Sequence, residues 1–164
     1  LLASNKKAQI TAKNLADFQT ELTNVAIQLA QKIVRDGEGA TKFVEVRILC
    51  AKTVSEARKM FQAIATSPLV KTAWFGQNPN FGRILCTIGK LDTSLDPEIV
   101  DLQLGPHYVV KQGAAVDTPK SLLDTYMQQP DLCITVTLHQ GDACFTGWTT
   151  DLSYDYVKIN AEYN

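Results

Sequence analysis

The feature that most constrains this chain is a change of hydrophobic period across a glycine-rich stop. Leu15, Phe18, Leu22, Val25, Leu29 and Ile33 recur every three or four positions within residues 14–35 and define one apolar face of a long helix. Asn14 is placed to cap that helix, Asp17 lies in its first turn, and Gly37 with Gly39 supplies the backbone freedom that ends it. Directly afterwards Val44, Val46 and Ile48 alternate with Glu45 and Arg47, the period of a strand at about 43–50 with one buried face. A chain that passes from one period to the other needs layers of both kinds, so mixed α/β layers fit best.

The remaining elements extend this pattern. Thr53-Val54-Ser55-Glu56 is a capping box that opens a helix with the inner stripe Ala57, Met60, Phe61 and Ile64, stopped at Ser67-Pro68. Leu69 to Gly76 follows, and the polar turn Gln77-Asn78-Pro79-Asn80 is placed to cap a helix from Phe81 to Ile88 closed by Gly89. Ile99, Val100, Leu102 and Leu104 lead through Gly105-Pro106 to Tyr108, Val109 and Val110, the pattern of a hairpin. A helix at about 119–128 directs Leu122, Leu123, Tyr126 and Met127 inward. Strands at 131–138 and 143–150 and a short helix at 153–160, with Tyr156, Val157 and Ile159 available for packing, complete the order αβααα-ββ-α-ββ-α.

Composition narrows the function classes. The 164 residues are 45% hydrophobic and 20% charged, and 16 basic against 17 acidic side chains give a net charge of −1. This balance excludes intrinsic disorder, a collagen-like repeat and a chain basic enough throughout to bind nucleic acid by charge alone. No run approaches the roughly 18 apolar residues of a bilayer span, and no signal peptide is legible, so the reading is a soluble, intracellular chain. It opens on Leu1-Leu2-Ala3-Ser4, without Met and in the manner of a strand's end, which leads to the expectation of a piece of something longer. Cys50, Cys86, Cys133 and Cys144 have neither Cys-x-x-Cys spacing nor a His at ligand distance, so zinc is disfavoured and reduced core residues are expected. His107 and His139 fall in turns, without a Ser, Cys or Asp in a matched context, and read as exposed rather than catalytic.

Three polar segments are candidates for chemistry. In Arg35-Asp36-Gly37-Glu38-Gly39-Ala40-Thr41-Lys42, two acids sit at a helix C-terminus that itself carries about half a negative charge, each unfavourable unless a cation is near. Glu38 between two glycines is either a carboxylate presented to a ligand ammonium or part of a helix stop neutralised by Arg35 or Lys42. The segment has neither phosphate-loop spacing nor the oxygen ladder of a calcium loop. Arg83 in Asn78-Pro79-Asn80-Phe81-Gly82-Arg83 either grips a carboxylate or pairs with an internal acid. Asn160 in Asn160-Ala161-Glu162-Tyr163 is an amide able to donate and accept, or part of a fraying terminus.

Taken together, Val34 to Lys42, Ser67-Pro68-Leu69-Val70-Lys71-Thr72-Ala73, Asn78 to Ile84 and Asp151-Leu152-Ser153-Tyr154-Asp155-Tyr156-Val157-Lys158-Ile159-Asn160-Ala161 resemble the ornithine acetyltransferase family. Its members are also called bifunctional glutamate N-acetyltransferases of arginine biosynthesis. The four signatures occur in the family's order from the first helix to Tyr163.

The resemblance implies a layered α/β fold, the αββα sandwich of self-cleaving ornithine acetyltransferases and DmpA-like proteins, with 1–90 in the layered catalytic domain. Residues 91–164 would form a smaller C-terminal α/β region that returns to the active site at its end. It implies an enzyme whose precursor breaks before a threonine, the nucleophile that takes acetyl from N2-acetylornithine and passes it to glutamate. An N-terminal amine can act as base for its own hydroxyl. Some members also accept acetyl-CoA; no metal or organic cofactor is implied. The implied partner is the N-terminal chain of the same precursor, in a dimer of such pairs (a heterotetramer), with neither nucleic acid nor membrane. The implied compartment is the cytoplasm, or the mitochondrial matrix in a fungus.

By this resemblance Glu38 and Asn160 bind substrate, Glu38 taking ornithine's amino group, whereas Arg83 and Lys42 keep structural readings. The nucleophile is expected upstream of Leu1, a further terminal threonine beyond Asn164, and the oxyanion residues and substrate lysine in the other chain. Phe81 stands where the family commonly has Trp. The competing readings are a non-catalytic amino-acid-binding paralogue and a related N-terminal-nucleophile amidase.

Overall fold

The computed structural model describes Lys7, residues 9–91 and residues 95–162; the opening Leu1-Leu2-Ala3-Ser4 and Tyr163 lie outside these. The chain divides into two compact units, Leu1–Ile33 and Val34–Asn164. The first carries most of α1 (Leu15–Arg35), whose stripe Leu15, Phe18, Leu22, Val25, Leu29 and Ile33 is exposed.

The second unit is built on one sheet. Its elements are β1 (Phe43–Ala51), α2 (Val54–Thr66), α3 (Pro68–Phe75), α4 (Phe81–Gly89), β2 (Asp101–Leu104), β3 (His107–Lys111), β4 (Ala114–Ala115), α5 (Lys120–Met127), β5 (Asp131–Thr137), β6 (Ala143–Thr150) and α6 (Tyr154–Ala161). The sheet order is β4-β3-β2-β5-β1-β6, so β1 comes from residues 1–90 and the other five strands from 91–164. β1 runs parallel to β5, with Val44 opposite Leu132 and Ile48 opposite Val136, and antiparallel to β6 on its other side. The remaining pairings are antiparallel.

Strand alternation decides which side of the sheet is buried. Val44, Val46 and Ile48 of β1, Leu132, Ile134 and Val136 of β5, and Leu102 and Leu104 of β2 join one apolar core with Ala57, Met60 and Ile64 of α2 and Trp74 of α3. Glu45, Arg47 and Leu49 of β1 and Cys133 and Thr135 of β5 lie on the opposite, less buried face, where Glu45 accepts from Arg47 Nε at 2.7 Å and from Trp148 Nε1 at 2.9 Å. Thr53 caps α2 as its sequence predicts, accepting from the Glu56 amide at 3.1 Å, while the Glu56 carboxylate reaches the Lys52 amide at 3.1 Å. Thr53→Ala therefore destabilises the unit by about 1 kcal/mol, read as a lower urea midpoint at constant slope. Gly105 turns the β2–β3 hairpin at φ +58°, and a Cβ there would meet the Tyr126 ring at 2.3 Å.

Several expectations are corrected. No cysteine is a buried core residue: Cys50 and Cys133 are half-buried and Cys86 and Cys144 exposed, all four as free thiols. Cys133 and Cys144 fall on the strand parity opposite to the core, a position that a run of apolar neighbours conceals. Leu122 is exposed because the inward set of α5 is Leu123, Tyr126 and Met127. Ile99 belongs to a 3₁₀ turn, Pro97–Ile99, rather than to the strand that follows it. Asn80 precedes α4 without a side-chain capping bond. The two-residue β4 is an Ala-Ala pair with no alternation to reveal it. No helix among the described residues is long and apolar enough to cross a membrane.

Candidate functional site

The site is assembled where the loop between α1 and β1 meets the junction of β6 and α6. Asp151, the first residue after β6, is buried at 3% exposure and accepts from the Thr41 amide at 2.9 Å, the Lys42 amide at 3.0 Å and the Thr41 hydroxyl at 2.5 Å. Two residues on, Ser153 caps α6 by accepting from the Tyr156 amide and donates its own hydroxyl to the Gly39 carbonyl. Gly39 adopts φ +64°, and a Cβ there would lie 2.6 Å from the Tyr156 nitrogen, so the loop touches the start of α6 only because this position has no side chain.

This double attachment brings together Glu38 and Asn160, which are 122 positions apart. Asn160 Nδ2 donates to Glu38 Oε2 at 2.9 Å and to the Tyr156 carbonyl at 2.9 Å. Among the described residues Glu38 has no cationic partner within 4 Å. Arg35 forms a two-pronged pair with Asp131 at 2.6 and 2.8 Å and lies over the Phe43 ring. The Lys42 ammonium donates to the Gln129 carbonyl at 2.9 Å. The neutralised helix stop therefore does not form among the described residues, and the Glu38 carboxylate is held by a neutral amide.

Glu38 lines a cleft of about 430 Å³ together with Gly37, Pro68, Lys71, Thr150 and Tyr156. Lys71 Nζ contacts the hydroxyls of Thr149 and Thr150, each at 3.3 Å. Burial pushes its pKa below the ordinary lysine value, and the charge of Asp151 opposes that shift. The same two causes act on Lys42, burial again the larger.

Among the described residues no acid lies within 4 Å of Arg83. Its Nη1 donates to the Leu69 carbonyl at 2.7 Å and lies 3.3 Å from the Thr72 hydroxyl, tying α4 to the start of α3. His107 packs edge-on to Tyr126, and His139 is 2.9 Å from Asp101 beside a separate hollow of about 980 Å³. Asp151, Ser153 and Lys71 are the residues that sequence reasoning missed as parts of the site. Ser153 was detectable as the cap of a short helix; Asp151 accepts its hydrogen bonds from residues more than a hundred positions away.

The sequence pattern of the ArgJ family matches residues 1–164. The arginine biosynthesis bifunctional protein ArgJ of Shouchella clausii is 41% identical over 162 residues, which are 99% of this chain and 40% of that protein. The protein of that name from Neisseria gonorrhoeae strain ATCC 700825 / FA 1090 is 42% identical over 170 residues, 99% of this chain and 42% of its own length. The chain thus spans about two-fifths of the curated relatives it matches. The crystal structure of arginine biosynthesis bifunctional protein argJ from Bacillus halodurans superimposes with a TM-score of 0.90 at 37% identity, covering 96% of this chain and 76% of that one.

Proposed function

The chain belongs to the ArgJ family, and from that premise we propose that it is the substrate-binding part of an acetyltransferase of arginine biosynthesis. In this reading an autocatalytically freed threonine outside these residues attacks the acetyl carbonyl of N2-acetylornithine. The amide nitrogen takes a proton and leaves as ornithine. The α-amine of glutamate then attacks the acetyl-threonine ester, giving N-acetylglutamate and restoring the hydroxyl. An ester between two amides replaces one difficult transfer by two easier ones, and oxyanion donors in the N-terminal chain stabilise both tetrahedral intermediates. The acetyl group moves directly, so no metal or organic cofactor takes part; acetyl-CoA serves, where accepted, as an alternative donor. The partner is the N-terminal chain, the assembly a dimer of such pairs, and the compartment the cytoplasm.

The observation that supports this reading is the Asn160–Glu38 hydrogen bond. It gives one pocket wall a carboxylate for the δ-ammonium of ornithine and beside it an amide for the polar end of the amino acid. The test is incubation of the full-length protein with acetylornithine and glutamate. The expected result is equimolar ornithine and acetylglutamate. Ornithine and free acetate without acetylglutamate would favour the amidase, and binding without turnover the non-catalytic paralogue.

A further inference from the structure

Lys71 is badly placed for stability. It lies in the first turn of α3, where the helix end already carries positive partial charge, and it is half-buried. Among the described residues no carboxylate comes within 4 Å of it. Asp151, the acid whose field it feels, has its oxygens engaged by Thr41 and Lys42. Its own contacts are two threonine hydroxyls at 3.3 Å, and the Thr149 hydroxyl donates elsewhere, to the Ala65 carbonyl at 3.1 Å. A half-buried lysine so held lacks the carboxylate partner that would offset its desolvation. It does line the same cleft as Glu38.

The function proposed above sets that cleft a problem of charge. It must hold ornithine, whose side chain is a cation, and then glutamate, whose side chain is an anion. Glu38 attracts the first and repels the second. We propose that Lys71 is the countercharge for the acidic acceptor: its ammonium receives the glutamate side-chain carboxylate after ornithine has left, so that one cleft with a wall of each sign serves both halves of the reaction. The inference rests on the acetyl-transfer reading and deepens it. The threonine hydroxyls aim the ammonium, and an arriving carboxylate supplies the charge-assisted partner that the folded chain withholds.

The experiment is steady-state kinetics of the full-length protein with acetylornithine as donor and glutamate or glutamine as acceptor. Wild type is expected to favour glutamate over its neutral isostere. In Lys71→Gln the KM for glutamate rises about tenfold more than that for acetylornithine, the glutamate preference over glutamine disappears, and Lys71→Arg restores most of both. Equal shifts in the two KM values, or an unchanged glutamate KM, would overturn the inference while leaving acetyl transfer standing. Wild-type protein that uses glutamine as well as glutamate would overturn it without any variant. Absence of transfer in wild type would overturn the reaction and, with it, this role for Lys71.

Discussion

Asp151→Ala is expected to lower the stability of the folded unit by about 3 kcal/mol and to take substrate binding with it. The carboxylate accepts three hydrogen bonds, and its loss leaves the buried Lys42 amide without a partner and releases Thr41. The loop carrying Glu38 is tied to α6 by this carboxylate and by the Ser153–Gly39 bond, so half of the attachment goes at once. Asp151→Asn is the informative contrast. Both amide donors use the same oxygen, Oδ1, which asparagine keeps; the Thr41 hydroxyl can turn to accept from the new amide. The asparagine variant should therefore lose about 1 kcal/mol. Urea midpoints of the two variants measure the difference, and equal losses would show that charge, rather than hydrogen-bond count, secures the loop.

Glu38→Gln is the largest expected effect on activity. Glutamine preserves the side chain's length and an oxygen able to accept from Asn160, and removes only the charge. If Glu38 holds the δ-ammonium of acetylornithine as proposed, losing that charge-assisted contact is expected to cost about 2–3 kcal/mol, a fall in kcat/KM of about a hundredfold. In the proposed reading, self-cleavage of the precursor is expected to proceed as in wild type, because the charge removed is the one assigned to substrate. Normal acetylornithine kinetics in this variant would remove Glu38 from the site.

Much of the fold was legible because it is local. The alternation of Val44, Val46 and Ile48 marks β1, and Thr53 with Glu56 marks the start of α2 through bonds spanning three or four residues. What escaped is what depends on partners distant in sequence. The half-buried state of Cys133 and the exposure of Cys144 follow from which face of each strand meets the helices. The Arg35–Asp131 pair joins positions 96 apart and cannot be read from the run of charges around Arg35.

The site divides in the same way. Residue chemistry alone favoured a helix stop for Glu38 over ligand contact, and left Asn160 as a terminus; only the family resemblance singled out both. The fold supplies the physical reason in Asp151, Gly39 and Ser153, which dock two remote segments on each other. Lys71 left one signal, a lysine in the first turn after Ser67-Pro68, unfavourable by the same dipole argument that drew attention to Glu38 at the opposite kind of helix end.

The central claim is that Glu38 and Asn160 act as one amino-acid subsite. A double-mutant cycle on kcat/KM for acetylornithine, with Glu38→Gln, Asn160→Ala and the pair, tests it most directly. Asn160→Ala alone is expected to raise KM, and the double variant to lose much less than the product of the two single losses, because either change already disables the shared subsite. Losses that simply multiply, or an Asn160→Ala variant with the wild-type KM, would contradict the account.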